Sequence, residues 1–424
     1  MNNMIRKLTS DEIPAFVDIA MNAYPARVTP SSEFREHQIL RMTNVQEKMS
    51  NVQYYGLFRN NRLIAGMRIH EYSMNLYGRM IQVAGVGQVA VDLLNKKEKA
   101  AKELIEFFIA HAKCMGSSLV LLYPFRPDFY KNMGFGYGTK MNQYRIKPDS
   151  FPKSTEKKGL VWLDESHKDL IRECSDRHAV STHGMMLKTP YELERLFQTT
   201  GMKLIGYMED GKLHGYIAFS FNGINPDNFF LHDMVIHEFV YETHEALEQF
   251  GNFLHTQNDQ INRIVWTTQD DMIEHWIGDP RNGSDRILPS IFHESLTAGV
   301  GLMYKIIDIP KFITELSSAG VMYSAKPVTL QFKITDTFAS STPISFNLHV
   351  DHESVIVSLD KQIAAQELSI IEMEISDLTS LLMGVVDVEK LYQYGKIKSG
   401  DPQDMSLLKQ CFRKSIKPVC TTSF

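Results

Sequence analysis

No apolar run in these 424 residues approaches the length that a bilayer-spanning helix needs, so no membrane-spanning segment is expected. Cysteine is scarce: Cys114, Cys174, Cys411 and Cys420 form neither a CxxC pair nor a disulfide-like framework, and reduced thiols are the expectation. Long basic runs are missing as well. With 45 Lys and Arg against 50 Asp and Glu, and a net charge of −5, nothing favours a polyanion, and nucleic acid is not an expected partner. There is no GxSxG elbow, so serine-hydrolase chemistry has no foothold. His237, His244 and His255 have no carboxylate-supported pair at metal spacing, so no metal is expected. Asp11 and Glu12 fall where a signal peptide would carry its apolar core, and a cytoplasmic location is expected.

The length exceeds what one hydrophobic core organises, and three zones are readable. In the first, Thr9 and Glu12 form a capping box for a helix through DEIPAFVDIAMNAY. Three strands of an antiparallel meander follow, joined by an Asn-Asn turn and an Asn-Leu-Tyr-Gly turn. A helix from about Lys96 to Met115 places Ala100, Leu104, Phe107, Phe108 and Ala112 on one face, with Gly116 as its C-cap. The apolar SLVLLYPF then reads as a buried strand parallel to its neighbour.

The second zone begins at a linker-like FPKSTEKKG and repeats the order of the first: a meander turning at Glu209-Asp210-Gly211, a helix near 242–255, a strand INRIVWTT, and a helix through DDMIEHWIGDP. A duplicated fold is expected, its second copy a packing partner without chemistry. The third zone, from about Leu302, alternates as strands in KPVTLQFKITD and SFNLHVDHESVIVSL and ends in a helix capped by Asp377 and stopped by Gly384.

Residues 83–138 carry the chemistry. Gly85-Val86-Gly87-Gln88-Val89-Ala90 fits a dinucleotide fingerprint, but that motif must open a helix, and here VAVDLL continues as strand. A strand Val89-Ala90-Val91 splayed through a bulge would offer its backbone to a ligand. Behind it, a helix start with Lys96, Lys97, Lys99 and Lys102 suits a pyrophosphate. Tyr130 is expected on a loop shaped by Pro127, Gly134, Gly136 and Gly138. Taken alone, the lysines also read as a solvated helix face, Tyr130 as an aromatic packing on the core, and Phe424 as a loose end.

The VAV strand and the FYKNMGFGYG loop resemble the Gcn5-related N-acetyltransferase (GNAT) superfamily. Together with WTTQDDMIEHWIGDPR, LMYKIIDIP, EISDLTSLLMG and the terminal TTSF, they make the whole chain similar to the enhanced intracellular survival (Eis) family. That resemblance implies an α+β architecture: a catalytic GNAT domain over 1–150, a second, degenerate GNAT-like domain over 151–290, and a sterol-carrier-like domain over 291–424. It implies acetyl-CoA as co-substrate, held by Val89, Ala90 and Val91, by Lys97, Glu98, Lys99, Ala100, Ala101 and Lys102, and by Phe125 and Arg126. It also implies Tyr130 as general acid, the carboxylate of Phe424 as base, a small-molecule or peptide amine as acceptor (aminoglycoside-, polyamine- or lysine-like), direct transfer, and a homo-oligomer, often a hexamer.

One position departs from the superfamily pattern. Lys99 stands where the pyrophosphate turn has its first glycine, and Glu98 adds a negative charge beside it. Two readings follow, an acetyl-CoA-dependent N-acetyltransferase and a non-catalytic GNAT-fold binding or regulatory protein with impaired cofactor binding.

Overall fold

The computed structural model describes residues 3–25, 31–225, 227–228, 231–284, 286–287, 291–359, 369–401, 403–412 and 416–424. By contact the chain divides into two compact units, one of Met1–Gly138, Leu302–Pro418 and Phe424, the other of Thr139–Gly301 and Val419–Ser423.

The first unit opens with β1 (Asn3–Lys7), α1 (Ile13–Ala23) and α2 (Ser32–Lys48), then the meander β2 (Val52–Arg59), β3 (Arg62–Leu76) and β4 (Arg79–Val91). Its hairpins turn on left-handed pairs, Asn60 with Asn61 and Tyr77 with Gly78, which match the twist of the flanking strands. Helix α3 (Ala100–Cys114) starts four residues later than its lysines promised, because Lys97 and Lys99 both take left-handed backbone and hold 96–99 as a turn. It buries Ala100, Leu104, Ile105, Phe108 and Ala112, and Gly116 ends it in a left-handed conformation while the Ser117 amide caps the Ala112 carbonyl. Strand β5 (Leu119–Leu122), the single-turn α4 (Pro127–Lys131) and the short β6 (Gly136–Tyr137) follow.

The second unit comprises β7 (Met141–Ile146), β8 (Leu160–Trp162), α5 (Lys168–Ser181), α6 (Pro190–Gln198), β9 (Lys203–Glu209), β10 (Lys212–Gly223), β11 (His232–Tyr241), α7 (His244–His255), β12 (Ile261–Thr268) and β13 (Leu296–Gly299). Its sheet order is β13-β7-β12-β11-β10-β9-β8, with β11 and β12 parallel around α7, as β4 and β5 are around α3. The expected duplication is therefore present. FPKSTEKKG is not a free linker: Phe151 is buried, the Ser154 amide donates to Asn252, and the Lys158 amide donates to Gln249. The helix expected through DDMIEHWIGDP is only a 3-10 turn over Ile273–His275, since the Asp270 carboxylate takes the Met272 amide in an Asx turn.

The chain then re-enters the first unit. Strand β14 (Met303–Ile306) slots between β5 and β6 and completes the order β1-β2-β3-β4-β5-β14-β6. With a strand on each side, β5 is an interior strand and buries all four of its residues. Helix α8 (Ile309–Ser318), strands β15 (Val328–Thr335), β16 (Ile344–Val350), β17 (Val355–Ser358) and β18 (Ile370–Glu374), and helices α9 (Ile375–Leu382), α10 (Val388–Gln393) and α11 (Gln403–Cys411) complete it, the four strands ordered β17-β16-β15-β18. Asp377 does not cap α9. It is the third residue of the helix, buried in its first turn, and pairs with Lys131 at 2.7 Å, while Glu374 holds the cap position. A second buried pair ties β14 to the residues after β15: the Lys305 ammonium, 1% exposed, meets Asp336 at 2.7 Å and the Met133 carbonyl at 2.8 Å.

Candidate active site

Strands β4 and β5 run parallel only from Val83 with Leu119 to Val86 with Leu122. There β5 stops. β4 continues to Val91 bound to β3 alone, so its edge over Gly87–Val91 has no strand partner on the β5 side among the described residues. The departure begins at a bulge, where the register with β3 slips between Gly66 and Arg68 and Gln88 takes φ 50°. Of the edge groups, the Val89 carbonyl accepts a hydrogen bond from the Tyr24 hydroxyl at 2.6 Å. Ala90 is buried, while Val89 and Val91 are half-buried.

Past the edge lies the turn into α3. Lys97 and Lys99 hold φ of 66° and 64°, so the lysine at the glycine position adopts the left-handed backbone that a glycine would, at a strain of about 1 kcal/mol. Lys96, Lys97, Glu98 and Lys99 are exposed, and Ala100 opens the helix buried. Glu98 does not confront an incoming anion unopposed. Arg59 reaches it at 2.7 Å, bonds its carbonyl at 3.0 Å and also pairs with Glu103 at 2.6 Å. Lys102 is directed elsewhere, toward Glu106 at 3.5 Å and over the Phe338 ring. The turn thus keeps three exposed lysines beside the first amides of a helix, an arrangement that can hold a pyrophosphate.

Tyr130 is not on a loop. Pro127 starts the single turn of α4, which carries Tyr130 inward until 3% of it is exposed, its ring against Phe125, Phe129 and Phe135. Burial, with the Tyr24 phenol second, pushes its pKa well above the usual tyrosine value. Among the described residues no group hydrogen-bonds its hydroxyl. Phe125 and Arg126 are exposed at the end of the β5 connection, Arg126 folded back onto Asp128.

Phe424 lies on β4 instead of hanging free. Its ring sits 5.4 Å from His70, 5.5 Å from Tyr72 and 5.4 Å from Tyr123, centroid to centroid. The floor is Gly85 and Gly87: a Cβ on Gly85 would stand 2.8 Å from the Phe424 ring, and one on Gly87 3.0 Å from its carboxyl carbon and 3.5 Å from the Arg68 guanidinium. These glycines pair across the ladder with His70 and Arg68. The Gly-Val-Gly that imitated a dinucleotide fingerprint therefore clears a slot for Phe424. Arg68, His70 and Tyr72 alternate along β3, the one signal that could have marked this face in the sequence. Tyr24 and Tyr123 carried no such signal.

The Phe424 carboxyl at Gly87, the open edge from Val89, and Tyr24, which bonds the Val89 carbonyl and acts on the Tyr130 phenol, belong to the divergence of β4 from β5. The residues fit a thioester cofactor with a long amide-bearing arm: an unpaired strand edge for the amides and a lysine-rich helix start for the phosphates. Among the described residues no three metal-ligating side chains converge, and no helix is long and apolar enough to cross a membrane.

Residues 4–138 match an acetyltransferase (GNAT) domain, residues 184–297 a second acetyltransferase (GNAT) domain, and residues 309–421 a sterol carrier protein domain. No curated protein matches the sequence. Among solved structures, a conserved Enterococcus faecalis protein described as a probable N-acyltransferase is similar at 17% identity with a TM-score of 0.79, covering 100% of both chains. A GCN5-related N-acetyltransferase from Anabaena variabilis gives the same values, 17% identity, a TM-score of 0.79 and 100% of both chains. Eis1 from Mycobacterium abscessus follows at 16% identity and a TM-score of 0.74, again over 100% of both chains. At such identities the likeness is one of fold, and the chain is built of two GNAT acetyltransferase domains followed by a sterol-carrier-like domain.

Proposed function

We propose that the protein is an acetyl-CoA-dependent N-acetyltransferase of the Eis type, moving an acetyl group to a primary amine by direct transfer. The observation that carries this reading is the Phe424 carboxyl seated over Gly87 at the divergence of β4 from β5. The thioester supplies the activated acetyl group, its arm held along Val89–Val91 and its phosphates at Lys96, Lys97 and Lys99.

The attacking amine must be neutral, and the Phe424 carboxylate accepts its proton, directly or through a water. Nitrogen bonds to the thioester carbon, the carbonyl becomes an oxyanion, and a β4 backbone amide hydrogen-bonds it. The C–S bond then breaks, and Tyr130 delivers its proton to the departing sulfur. The acceptor is aminoglycoside-, polyamine- or lysine-like, and the active form is a homo-oligomer, which sedimentation would test.

The second reading, a non-catalytic binding or regulatory protein, draws on the strained Lys99 in the cofactor turn. Calorimetry separates the two: acetyl-CoA that fails to bind at about 1 mM sinks the enzyme reading. If it binds, thiol release with a panel of polyamines, aminoglycosides and lysyl peptides should depend on Tyr130. Two glycines appended after Phe424 should cut that release sharply, and unchanged turnover would remove the carboxylate from the mechanism.

A further inference from the structure

We infer that the second unit carries an oxyanion-binding pocket of its own, built around Arg263 and Lys147, that takes a small organic phosphate or carboxylate with an apolar body. A cavity of about 410 Å³ lies between the end of β7, the start of β12 and residues 279–284, 287 and 292–294, within the range of small-molecule sites. The antiparallel pairing of Ile146 with Ile264 brings Lys147 and Arg263 to the same end of their strands.

The acids that line the cavity among the described residues, Asp279 and Glu294, are already engaged. Asp279 forks onto Arg281 at 2.9 and 2.7 Å, which holds its pKa down at about 2. Glu294 accepts from Asn282 at 2.7 Å and Ser284 at 2.8 Å, with Arg286 at 4.0 Å. Asp233, the partner of Arg263 in the sheet, is held by Arg145 at 2.6 Å and Asn262 at 3.0 Å. Among the described residues Arg263 makes no ion pair.

One guanidinium nitrogen of Arg263, Nη1, is closed off from solvent with no hydrogen-bond partner among the described residues. Such an orphaned charged donor costs about 1–3 kcal/mol, which an oxyanion in the cavity would recover once the guanidinium turns Nη1 toward it. The backbone keeps it in place: Gly283 turns at φ 74°, and a Cβ there would stand 2.6 Å from Arg263 Nη2. Phe292, 57% exposed, and Ile287, 45% exposed, supply an apolar wall at the rim, which a bare inorganic ion would leave uncovered.

The test is calorimetry on the full chain at low salt, with phenyl phosphate, benzoate and inorganic phosphate as probes. Phenyl phosphate or benzoate should bind with a Kd of about 0.1–1 mM and more tightly than inorganic phosphate. Arg263→Gln should weaken binding about tenfold or more, and Arg263→Lys, which keeps charge but not the fork, should fall between. Melting curves establish that each variant is folded. Silence from all three probes at about 10 mM, or parental affinity in folded Arg263→Gln, would overturn the pocket. Equal affinity for inorganic and phenyl phosphate would overturn its organic ligand. None of these readouts uses acetyl transfer, so the outcome is independent of the proposed activity.

Discussion

Phe424 sets its ring 5.4 Å from that of His70, and the strand opposite His70 offers a glycine, Gly85, where any Cβ would stand 2.8 Å from the same ring. Residues at the far end of the sequence are thus received by a place on β4 that is shaped by missing side chains. Gly87, two residues on, does the same for the carboxyl.

Substituting Gly87 by Ala puts a methyl 3.0 Å from the Phe424 carboxyl carbon and should displace the terminus with little cost to the fold. We expect turnover to fall about 100-fold while stability shifts by about 1 kcal/mol or less. Initial rates and urea melts check this together. Full activity in a variant of unchanged stability would argue that the carboxyl has no part in transfer.

Tyr130→Phe removes a hydroxyl that has no hydrogen-bond partner among the described residues, so the fold should tolerate it. Turnover should drop about 10²–10⁴-fold. Because burial raises the phenol above its ordinary value of 10, the acid stays protonated across the working range. The sign follows: a raised folded pKa gives stability that is complete below about pH 10 and declines only above it. A pH–rate profile of the parent should therefore rise with amine deprotonation and show no loss attributable to Tyr130 below pH 10. A falling limb near neutrality that vanishes in Tyr130→Phe would contradict the assignment.

Lys99→Gly tests the departure in the cofactor turn. Relief of left-handed strain should raise stability by about 1 kcal/mol. If backbone approach governs phosphate binding, acetyl-CoA should bind several-fold tighter by calorimetry. Weaker binding would instead show that the Lys99 charge replaces the missing glycine contact.

Asp336→Asn should be among the costly single changes in the first unit, since it strands the Lys305 ammonium at 1% exposure. About 3–5 kcal/mol of unfolding free energy should be lost, while Lys305→Met with Asp336→Leu together should lose less than Asp336→Asn alone. Denaturant titration reads both. Equal losses would mean that the pair is not acting as a buried ion pair.

The meander, α3 and the repeat in the second unit were legible because each is local: two-residue turns, a helical apolar stripe and a glycine stop act within a few residues. Helix α2 passed unmarked, since its 17 residues bury only Met42, Val45 and Gln46 and leave little stripe to read. Tyr130 was legible as a candidate and as an aromatic packing on the core, but the short helix that carries it was not, because a proline that opens a short helix and one that shapes a loop look alike in sequence. The arginine that engages Glu98 lies 39 residues away and has no local signature.

By itself the sequence determined the meander, the helix after it and their repeat, the splay-prone VAV strand and the lysine-rich helix start, while the roles of Tyr130 and Phe424 came from the family resemblance. Only the tertiary structure decided that β14 completes the first sheet, that Gly85 and Gly87 receive Phe424, and that Arg59 engages Glu98. The physical reason is range. Backbone preference and periodicity act over a few residues and are written locally, whereas strand insertion, cavity shape and ion pairing depend on which distant segments fold to the same point in space.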